Sequence, residues 1–204
     1  EDRLALFSRW LDSTNISMKR ISEPIFDNYI ISTAPVRVDL AGGWSDTPPI
    51  TYEYGGSVTG MAVLMDDCFP LSCRCRVVSG KKGILLKTEL RELPTGALVS
   101  SQKEEITDLS HLQDFRDTSA NCALLKAALM CLGLVSEEDL RLSRVSLQVR
   151  INQFCCSAPE ENMRIEIITT SLLGMGTGMG TSSILGACIL QSLATCVGIG
   201  KLSD

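Results

Sequence analysis

The sequence has little histidine, little aromatic character and no excess of positive charge. Its 204 residues include one histidine, His111, and only 5% aromatic residues. Nineteen Lys and Arg against 24 Asp and Glu give a net charge of −5, whereas a general nucleic-acid binder carries an excess of basic residues. The composition therefore argues against a nucleic-acid partner. With 45% hydrophobic and 21% charged residues, the chain is typical of a globular domain, which excludes disorder, collagen and coiled coil.

Metal-ligand patterns are also missing, although cysteine is not. The nine cysteines are odd in number and irregularly spaced, and no two of them form a Cys-x-x-Cys pair. With a single histidine beside them, the ligand pattern of a structural zinc site is absent. We interpret the cysteines as reduced thiols that serve as small apolar residues, which predicts a cytoplasmic protein.

Charge is absent from residues 167–200. A helix that spans a bilayer needs about 20 consecutive apolar residues, and a run of Gly, Thr and Ser from Gly174 to Ser183 interrupts this stretch. The sequence therefore predicts a buried helix of a globular core and no membrane partner.

The periodicity of apolar residues predicts a mixture of strands and helices. Alternation indicates strands over 29–40, 57–65, 71–79, 84–89, 145–151 and 163–169, the last two as a pair. Helical spacing indicates helices over 120–134 and 181–197 and a short one over 4–11. Turn-forming residues predict a loop at 41–49 and a hairpin at 79–83, and the polar segment 91–117 is predicted to be irregular. This order of elements predicts an α+β fold.

The clearest chemical signal is a glycine-rich loop between a predicted strand and a predicted helix. It reads Gly174-Met-Gly-Thr-Gly-Met-Gly-Thr-Ser-Ser183, and glycine at every second position allows positive φ and close approach of a ligand. The helix that begins near Thr181 directs unpaired N–H groups and a positive dipole end at the loop. The hydroxyls of Thr181, Ser182 and Ser183 lie at the same place. Together these features predict a phosphate site.

This loop differs from other well-known glycine-rich motifs. No Lys follows the glycines, which excludes a Walker A sequence, and the spacing is not that of the dinucleotide fingerprint. No nucleophile elbow of the form G-x-S-x-G occurs either. The alternative is a flexible linker made of small residues.

A second signal lies in Arg37-Val-Asp-Leu-Ala-Gly-Gly-Trp-Ser-Asp46. Arg37 and Asp39 share one face of the predicted strand because side chains alternate along a strand. Gly42 and Gly43 allow a tight turn that returns Asp46 to the strand end. A carboxylate accepts hydrogen bonds from hydroxyls, and an arginine stabilises developing negative charge. The alternative is an ordinary turn with an exposed Asp and a surface ion pair.

The two signals together resemble the GHMP family of small-molecule kinases. In that family a strand and loop of the type R-[VI]-x-[LF]-x-G-G precedes a phosphate loop of the type P-x-G-x-G-L-G-[ST]-S. Arg37-Val-Asp-Leu-Ala-Gly-Gly43 is similar to the first and Gly176-Thr-Gly-Met-Gly-Thr-Ser182 to the second. Asp114-Phe115 and Ala123–Ala128 are similar to sugar kinases of the same family. The resemblance covers most of residues 30–198.

The resemblance implies a fold, a reaction and cofactors. The implied fold is the N-terminal GHMP kinase domain, which is ribosomal protein S5 domain 2-like. The implied activity is transfer of the γ-phosphoryl group of ATP to the anomeric hydroxyl of a sugar, with Mg²⁺. Arg37 would steady the reacting end, Asp46 and Gly43 would bind the sugar, and Ser182 would contact Mg²⁺. The triphosphate would be cradled by Gly176, Gly178, Gly180, Thr181, Ser182 and Ser183.

The resemblance also implies that parts of the kinase lie elsewhere. Residues 29–204 would be the N-terminal domain, and residues 1–28 a linker or the tail of a preceding region. These kinases carry a catalytic aspartate after the phosphate-loop helix, and residues 184–203 contain no Asp or Glu. We therefore expect the base and the C-terminal GHMP domain to be missing from this chain, and the chain alone to be inactive.

Three alternatives remain open from the sequence. The parent could be another GHMP sugar or heptose kinase, because the sugar-binding loop is only partly diagnostic. It could be a non-catalytic GHMP-like protein that binds sugar or nucleotide. It could also be a structural α+β domain with a flexible glycine loop, which would not respond to phosphate ligands.

Overall fold

The computed structural model describes residues 22–155, 161–174 and 176–199. The strands within these ranges are β1 Ile30–Ala34, β2 Val36–Ala41, β3 Thr59–Val63, β4 Leu71–Ser79, β5 Gly83–Arg91, β6 Leu98–Ile106 and β7 Met163–Ser171. The α-helices are α1 Ile50–Tyr54, α2 Ala123–Cys131, α3 Glu137–Leu142, α4 Leu147–Phe154 and α5 Thr181–Cys196, and a 3₁₀ helix spans Leu109–Leu112. The predicted helix at 4–11 lies outside the described residues.

The strands form one large mixed sheet and one small ribbon. The large sheet has the order β1-β4-β7-β5-β6, and the ribbon pairs β2 with β3. In the large sheet β5 and β7 are parallel and the other neighbours are antiparallel. Helices follow the strands without a regular βαβ alternation. The predicted α+β class is therefore confirmed.

The core lies between the large sheet and the helices. Alternate residues of β4 and β7 are buried because successive side chains of a strand point to opposite faces. Helix α5 packs against β1 and β4, and its uncharged sequence fits this position because most residues of its second half are buried. Strands β4 and β7 and helix α5 confirm the elements predicted at 71–79, 163–169 and 181–197, to within two residues at each end.

The other face of the sheet carries ion pairs, among them the Glu89 cluster (Arg74, Lys87, Glu89 and Arg91), whose carboxylate is buried. Lys87 Nζ lies 2.6 Å from Glu89 Oε1, and Arg91 Nη2 lies 2.9 Å from Oε2. Burial opposes the charge of Glu89, but the hydrogen bonds from Lys87 and Arg91 outweigh it and hold the pKa of this carboxyl below its ordinary value. These oppositely charged side chains make a polar surface on this side of the sheet.

Three predicted strands need correction. The strand predicted at 29–40 is two strands in different sheets, β1 and β2, which meet at Pro35. Proline lacks the N–H that a central strand needs, so the chain changes sheets there. The strand predicted at 145–151 is wrong, because Leu147–Phe154 forms helix α4, with the Ser146 hydroxyl accepting from the Val149 N–H at its start. The strand predicted at 57–65 is shorter, Thr59–Val63.

Two further predictions about the sheet are wrong. The hairpin predicted at 79–83 does not form, because β7 lies between β4 and β5. The segment 91–117, predicted to be irregular, contains strand β6 and the 3₁₀ helix. Among the described residues no helix is long and apolar enough to cross a membrane.

Candidate functional site

The fold brings the two sequence motifs into contact. The backbone N–H of Arg37 in β2 donates to the carbonyl of Met179 in the glycine-rich loop, at 3.4 Å. Beside this contact lies an open cleft of about 460 Å³ between the β2–β3 ribbon and the first turn of α5. Its lining residues are Pro35, Val36, Arg37, Val58, Gly60, Met61, Ala62 and Ile184. The first motif and the glycine-rich loop therefore lie next to each other.

The glycine-rich loop has an open, left-handed backbone. Gly176, Gly178 and Gly180 have φ of +84°, +72° and +67°, a region that favours glycine because it has no Cβ. An added Cβ at Gly176 or Gly178 would meet no atom within 4 Å. The space over the loop is thus available to a ligand. Gly174 does not have a positive φ. The sequence predicts that all four glycines of the loop are needed for the backbone conformation, and the structure bears this out for Gly176, Gly178 and Gly180 only.

Helix α5 begins with unsatisfied donors that face this loop. Gly180 is the N-cap residue and has no side chain with which to cap the helix, so the N–H groups of the first turn are open to a ligand. Ser182 and Ser183 are exposed at this helix end. The hydroxyls of Thr177 and Thr181 lie 3.3 Å apart, which ties the loop to the helix start.

These residues fit a triphosphate with a magnesium ion. Backbone N–H groups at a helix start, together with the positive end of the helix dipole, bind phosphate oxygens. Mg²⁺ prefers oxygen ligands and keeps several waters and phosphate oxygens, so one exposed hydroxyl is a sufficient contribution from the protein. The hydroxyl of Ser182 suits that role. Among the described residues no group of three or more His, Cys, Asp or Glu is placed to hold a metal by itself.

Arg37 is held by a neighbouring carboxylate. Its Nε lies 2.8 Å from Asp39 Oδ1 and its Nη2 donates to Oδ2 at 3.2 Å, which is the two-pronged geometry that suits a guanidinium. Gly60 lies opposite Asp39 in β3, and a Cβ there would come within 3.3 Å of both Arg37 Cγ and Asp39 Oδ1. Glycine at this position therefore leaves room for the Arg37–Asp39 pair. The surface ion pair considered as an alternative is present.

The loop that carries Asp46 is fastened at its base. The Ser45 hydroxyl lies 2.7 Å from the Gly42 carbonyl oxygen and 3.0 Å from that of Ser57, and accepts from the Ser57 N–H at 3.1 Å. A Cβ on Gly42 would lie 1.9 Å from the Ser57 oxygen, and Gly42 has φ of +77°, so only glycine fits. The loop predicted at 41–49 is confirmed as a turn, and Ser45 fastens its first residues to Ser57, just before strand β3.

Within this loop the two predicted sugar-binding residues differ in their surroundings. Gly43 lies against the Arg37–Asp39 pair, because a Cβ on Gly43 would be 3.7 Å from Asp39 Oδ2. Asp46 is exposed, and its carboxylate forms no hydrogen bond or ion pair with any described residue. It is therefore available to a ligand, while Asp39 is occupied by Arg37.

The sequence did not reveal a buried lysine beneath the helices. Lys126 is 1% exposed, and its Nζ lies 2.8 Å from both Asp114 Oδ1 and Glu104 Oε1. Burial opposes the charge of Lys126, but the hydrogen bonds to the two carboxylates outweigh it and raise its pKa. Asp114 and Lys126 belong to the two short stretches that carry the resemblance outside the main motifs. The sequence feature that could have predicted this buried lysine is its position as the only charged residue in an otherwise apolar helix.

Two curated proteins are similar to this chain. It is 28% identical over 173 residues to the L-fucokinase/L-fucose-1-P guanylyltransferase of Bacteroides fragilis, which covers 85% of this chain and 16% of that protein. It is 26% identical over 159 residues to the bifunctional fucokinase/GDP-fucose pyrophosphorylase of Arabidopsis thaliana, which covers 78% and 12%. The chain thus spans less than a fifth of these relatives. No protein-family model matches it.

These relatives confirm the resemblance seen in the motifs. They also narrow it, since the chain is similar to fucokinases in particular. Among solved structures, the chain is similar to a D-glycero-D-manno-heptose 1-phosphate kinase from Bacteroides thetaiotaomicron, 22% identical with a TM-score of 0.44, covering 82% of this chain and 41% of that one. The mevalonate kinase of Methanococcus jannaschii is 13% identical with a TM-score of 0.41, covering 83% and 40%.

Proposed function

We propose that this chain forms the nucleotide- and sugar-positioning part of a kinase that transfers the γ-phosphoryl group of ATP to the anomeric hydroxyl of L-fucose, giving fucose 1-phosphate. The observation that carries the proposal is the hydrogen bond from Arg37 to Met179, which joins the first motif to the loop that we propose binds phosphate. The sugar is proposed from the fucokinase names of the two relatives. Their second activity is not proposed for this segment.

The phosphate end of the reaction falls to the glycine-rich loop and the start of α5. We assign the triphosphate to the backbone N–H groups of the loop and to the first-turn hydroxyls, that is to Gly176, Gly178, Gly180, Thr181, Ser182 and Ser183. A magnesium ion at Ser182 would neutralise charge on the phosphate oxygens. The residues of this chain bind and orient the phosphates, which is the main requirement for phosphoryl transfer.

The sugar end falls to the first motif. The free carboxylate of Asp46 accepts hydrogen bonds from sugar hydroxyls, and Gly43 leaves room for the ring beside the Arg37–Asp39 pair. Arg37, oriented by Asp39, lines the cleft and stabilises negative charge on the transferring group. In the reaction the anomeric oxygen bonds to the γ-phosphorus, the bond to the bridging oxygen of ADP breaks, and the hydroxyl proton passes to a base.

We place that base outside residues 29–204, and we propose residues 29–204 as the N-terminal kinase domain with 1–28 preceding it. The absence of Asp and Glu from residues 184–203, where the base is expected, supports the placement of the base. A cytoplasmic location is proposed from the cysteines, and the eight that the structure describes are all free thiols, which supports a reducing compartment.

The test is ligand-dependent thermal unfolding of the chain with two matched glycine controls. Mg-ATP at 100 times its Kd should stabilise the fold by about 2.7 kcal/mol, and L-fucose should add to this. Gly178→Ala puts a side chain at φ +72° and should abolish the response to Mg-ATP. Gly174→Ala, in the same loop without positive φ, should keep it. Gly96→Ala, at φ +69° in the β5–β6 connection, controls for strain elsewhere and should also keep it.

Two results would contradict the proposal. An equal Mg-ATP response in wild type and Gly178→Ala would mean that the loop does not bind phosphate. A normal Mg-ATP response with no effect of L-fucose would mean that the chain does not bind L-fucose. Turnover is a separate readout, since we expect no fucose-dependent ATP hydrolysis or transfer by these 204 residues above a Ser182→Ala control.

A further inference from the structure

Trp44 combines two unfavourable features at one position of the sugar loop. Its side chain is 80% exposed, so a large apolar surface stays in water. Its φ is +73°, a left-handed conformation that is costly for a residue with a bulky side chain. Among the described aromatic residues only Trp44 has a positive φ. Strain of this kind persists where the surrounding structure enforces it, and it is concentrated at ligand sites.

The surrounding structure does enforce it. Trp44 is followed directly by Ser45, whose hydroxyl clamps Gly42 to Ser57, and its own carbonyl accepts from the Thr47 N–H at 3.2 Å. A Cβ on Gly56 would lie 2.2 Å from the Ser45 oxygen, so the backbone at Gly56 packs closely against the turn. The direction of the Cα–Cβ bond of Trp44 is therefore set by the backbone of the clamped turn.

The residues that flank Trp44 in the chain carry the chemistry of a carbohydrate site. Two residues further on is the free carboxylate of Asp46, and one residue before is Gly43, which lies against the Arg37–Asp39 pair. Ligand sites combine apolar or aromatic surface with a few well-placed polar groups. A pyranose ring presents both kinds of surface, hydroxyls at its rim and C–H groups on its face, and a 6-deoxy sugar adds a methyl group.

We propose that the indole of Trp44 is the platform on which the sugar ring stacks, while Asp46 accepts hydrogen bonds from its hydroxyls. This inference rests on the proposed function and names a specificity residue for it. The platform favours a sugar with an uninterrupted C–H face and a methyl group over one with an added charge or hydroxyl there. Tyr52 and Tyr54 are equally exposed but lie in helix α1 with ordinary φ, and they are not part of the clamped turn.

The test uses the chain's own fluorescence. The sequence contains two tryptophans, Trp10 and Trp44, so Trp10→Phe leaves Trp44 as the only one. Titration of this variant with L-fucose in saturating Mg-ATP should change the emission of Trp44. Trp44→Gly removes the indole and suits the left-handed backbone, so its unfolding midpoint should stay the same or rise. Its Kd for L-fucose, measured by calorimetry, should increase about ten-fold or more, as the loss of a stacked aromatic surface predicts.

Three control variants separate stacking from a structural role. Trp44→Phe keeps an aromatic face and should bind L-fucose nearly as wild type does. Tyr52→Ala and Phe69→Ala remove exposed aromatics outside the turn and should leave the Kd for L-fucose unchanged. All variants should bind Mg-ATP as wild type does.

The possible failures are distinguishable. If wild type binds L-fucose and Trp44→Gly binds it within two-fold, the stacking proposal is wrong and the proposed function stands. If Trp44→Gly loses Mg-ATP affinity as much as sugar affinity, Trp44 is structural and the proposal is overturned. If wild type binds Mg-ATP but no L-fucose, the proposed function fails and the platform fails with it.

Discussion

Replacing Lys126 with methionine should destabilise the fold far more than the same change at the surface. Methionine keeps the unbranched apolar stem and removes the ammonium group. Lys126 is 1% exposed and contacts Asp114 and Glu104, which leaves these two carboxylates without their cation in the variant. The lysine joins α2 to strand β6 and to the segment before the helix. Loss of its ammonium group therefore weakens the packing of the helix on the sheet.

The magnitude follows from the burial of each partner. Removing one member of a buried ion pair costs about 3–5 kcal/mol, because the other charge is left behind. The carboxylates here are 22% and 46% exposed, so water reaches them and reduces the penalty. We therefore expect about 3 kcal/mol, the lower end of the range. The matched control is Lys103→Met, where lysine and Glu105 are 58% and 51% exposed and the loss should stay below about 1 kcal/mol.

Urea unfolding followed by circular dichroism gives both values. For an m-value of about 1–3 kcal/mol/M, Lys126→Met should lower the midpoint by about 1 M or more at unchanged m. Asp114→Asn should have a smaller effect than Lys126→Met, since Asp114 is the more exposed carboxylate. If Lys126→Met and Lys103→Met differ by less than about 0.5 kcal/mol, the buried lysine does not stabilise the fold through these two carboxylates and the prediction is refuted.

Two further perturbations test the site and the sheet. Gly60→Ala should displace the Arg37–Asp39 pair by a few tenths of an ångström and weaken L-fucose binding roughly ten-fold, with little loss of stability. Calorimetry measures the Kd for L-fucose, with Gly96→Ala as the control. Unchanged binding would mean that the pair does not position Arg37 for the sugar. The lowered pKa of Glu89 contributes stability that is present above its ordinary value of 4.5 and is lost as pH falls through the folded pKa. Unfolding of Glu89→Gln should therefore depend less on pH below 4.5 than wild type does, and identical acid profiles would show that the carboxyl is not held ionised.

Local patterns predicted the strands and helices whose burial is regular. Strand β4 alternates buried and partly buried residues along most of its length, so the alternation of residue types in the sequence predicted its position. Strand β6 is exposed almost throughout, because the core covers neither of its faces, so its sequence needs no alternation of apolar and polar residues. Helix α4 was mistaken for a strand, yet Leu147 and Ile151, four residues apart and both buried, carry the helical spacing that was overlooked.

The candidate site was predicted in its parts and not in its assembly. Alternate glycines ahead of a helix identified the loop, and alternation along a strand placed Arg37 and Asp39 on one face. The contact from Arg37 to Met179 depends on tertiary packing, which no local window contains. The strain at Trp44 was hidden for a related reason, since a tryptophan carries no sequence signal that its φ is positive.

The order of strands in the large sheet has a consequence for synthesis and folding. The central strand, β7, is the last of the seven described strands in the chain. Until residues 163–171 have left the ribosome, β4 and β5 each present an unpaired edge with buried-type side chains such as Cys75 and Leu86. The sheet therefore cannot grow strand by strand during translation. It closes by long-range pairing, which is slow and leaves the nascent chain prone to aggregation, so a chaperone that shields these edges would raise the yield of folded protein.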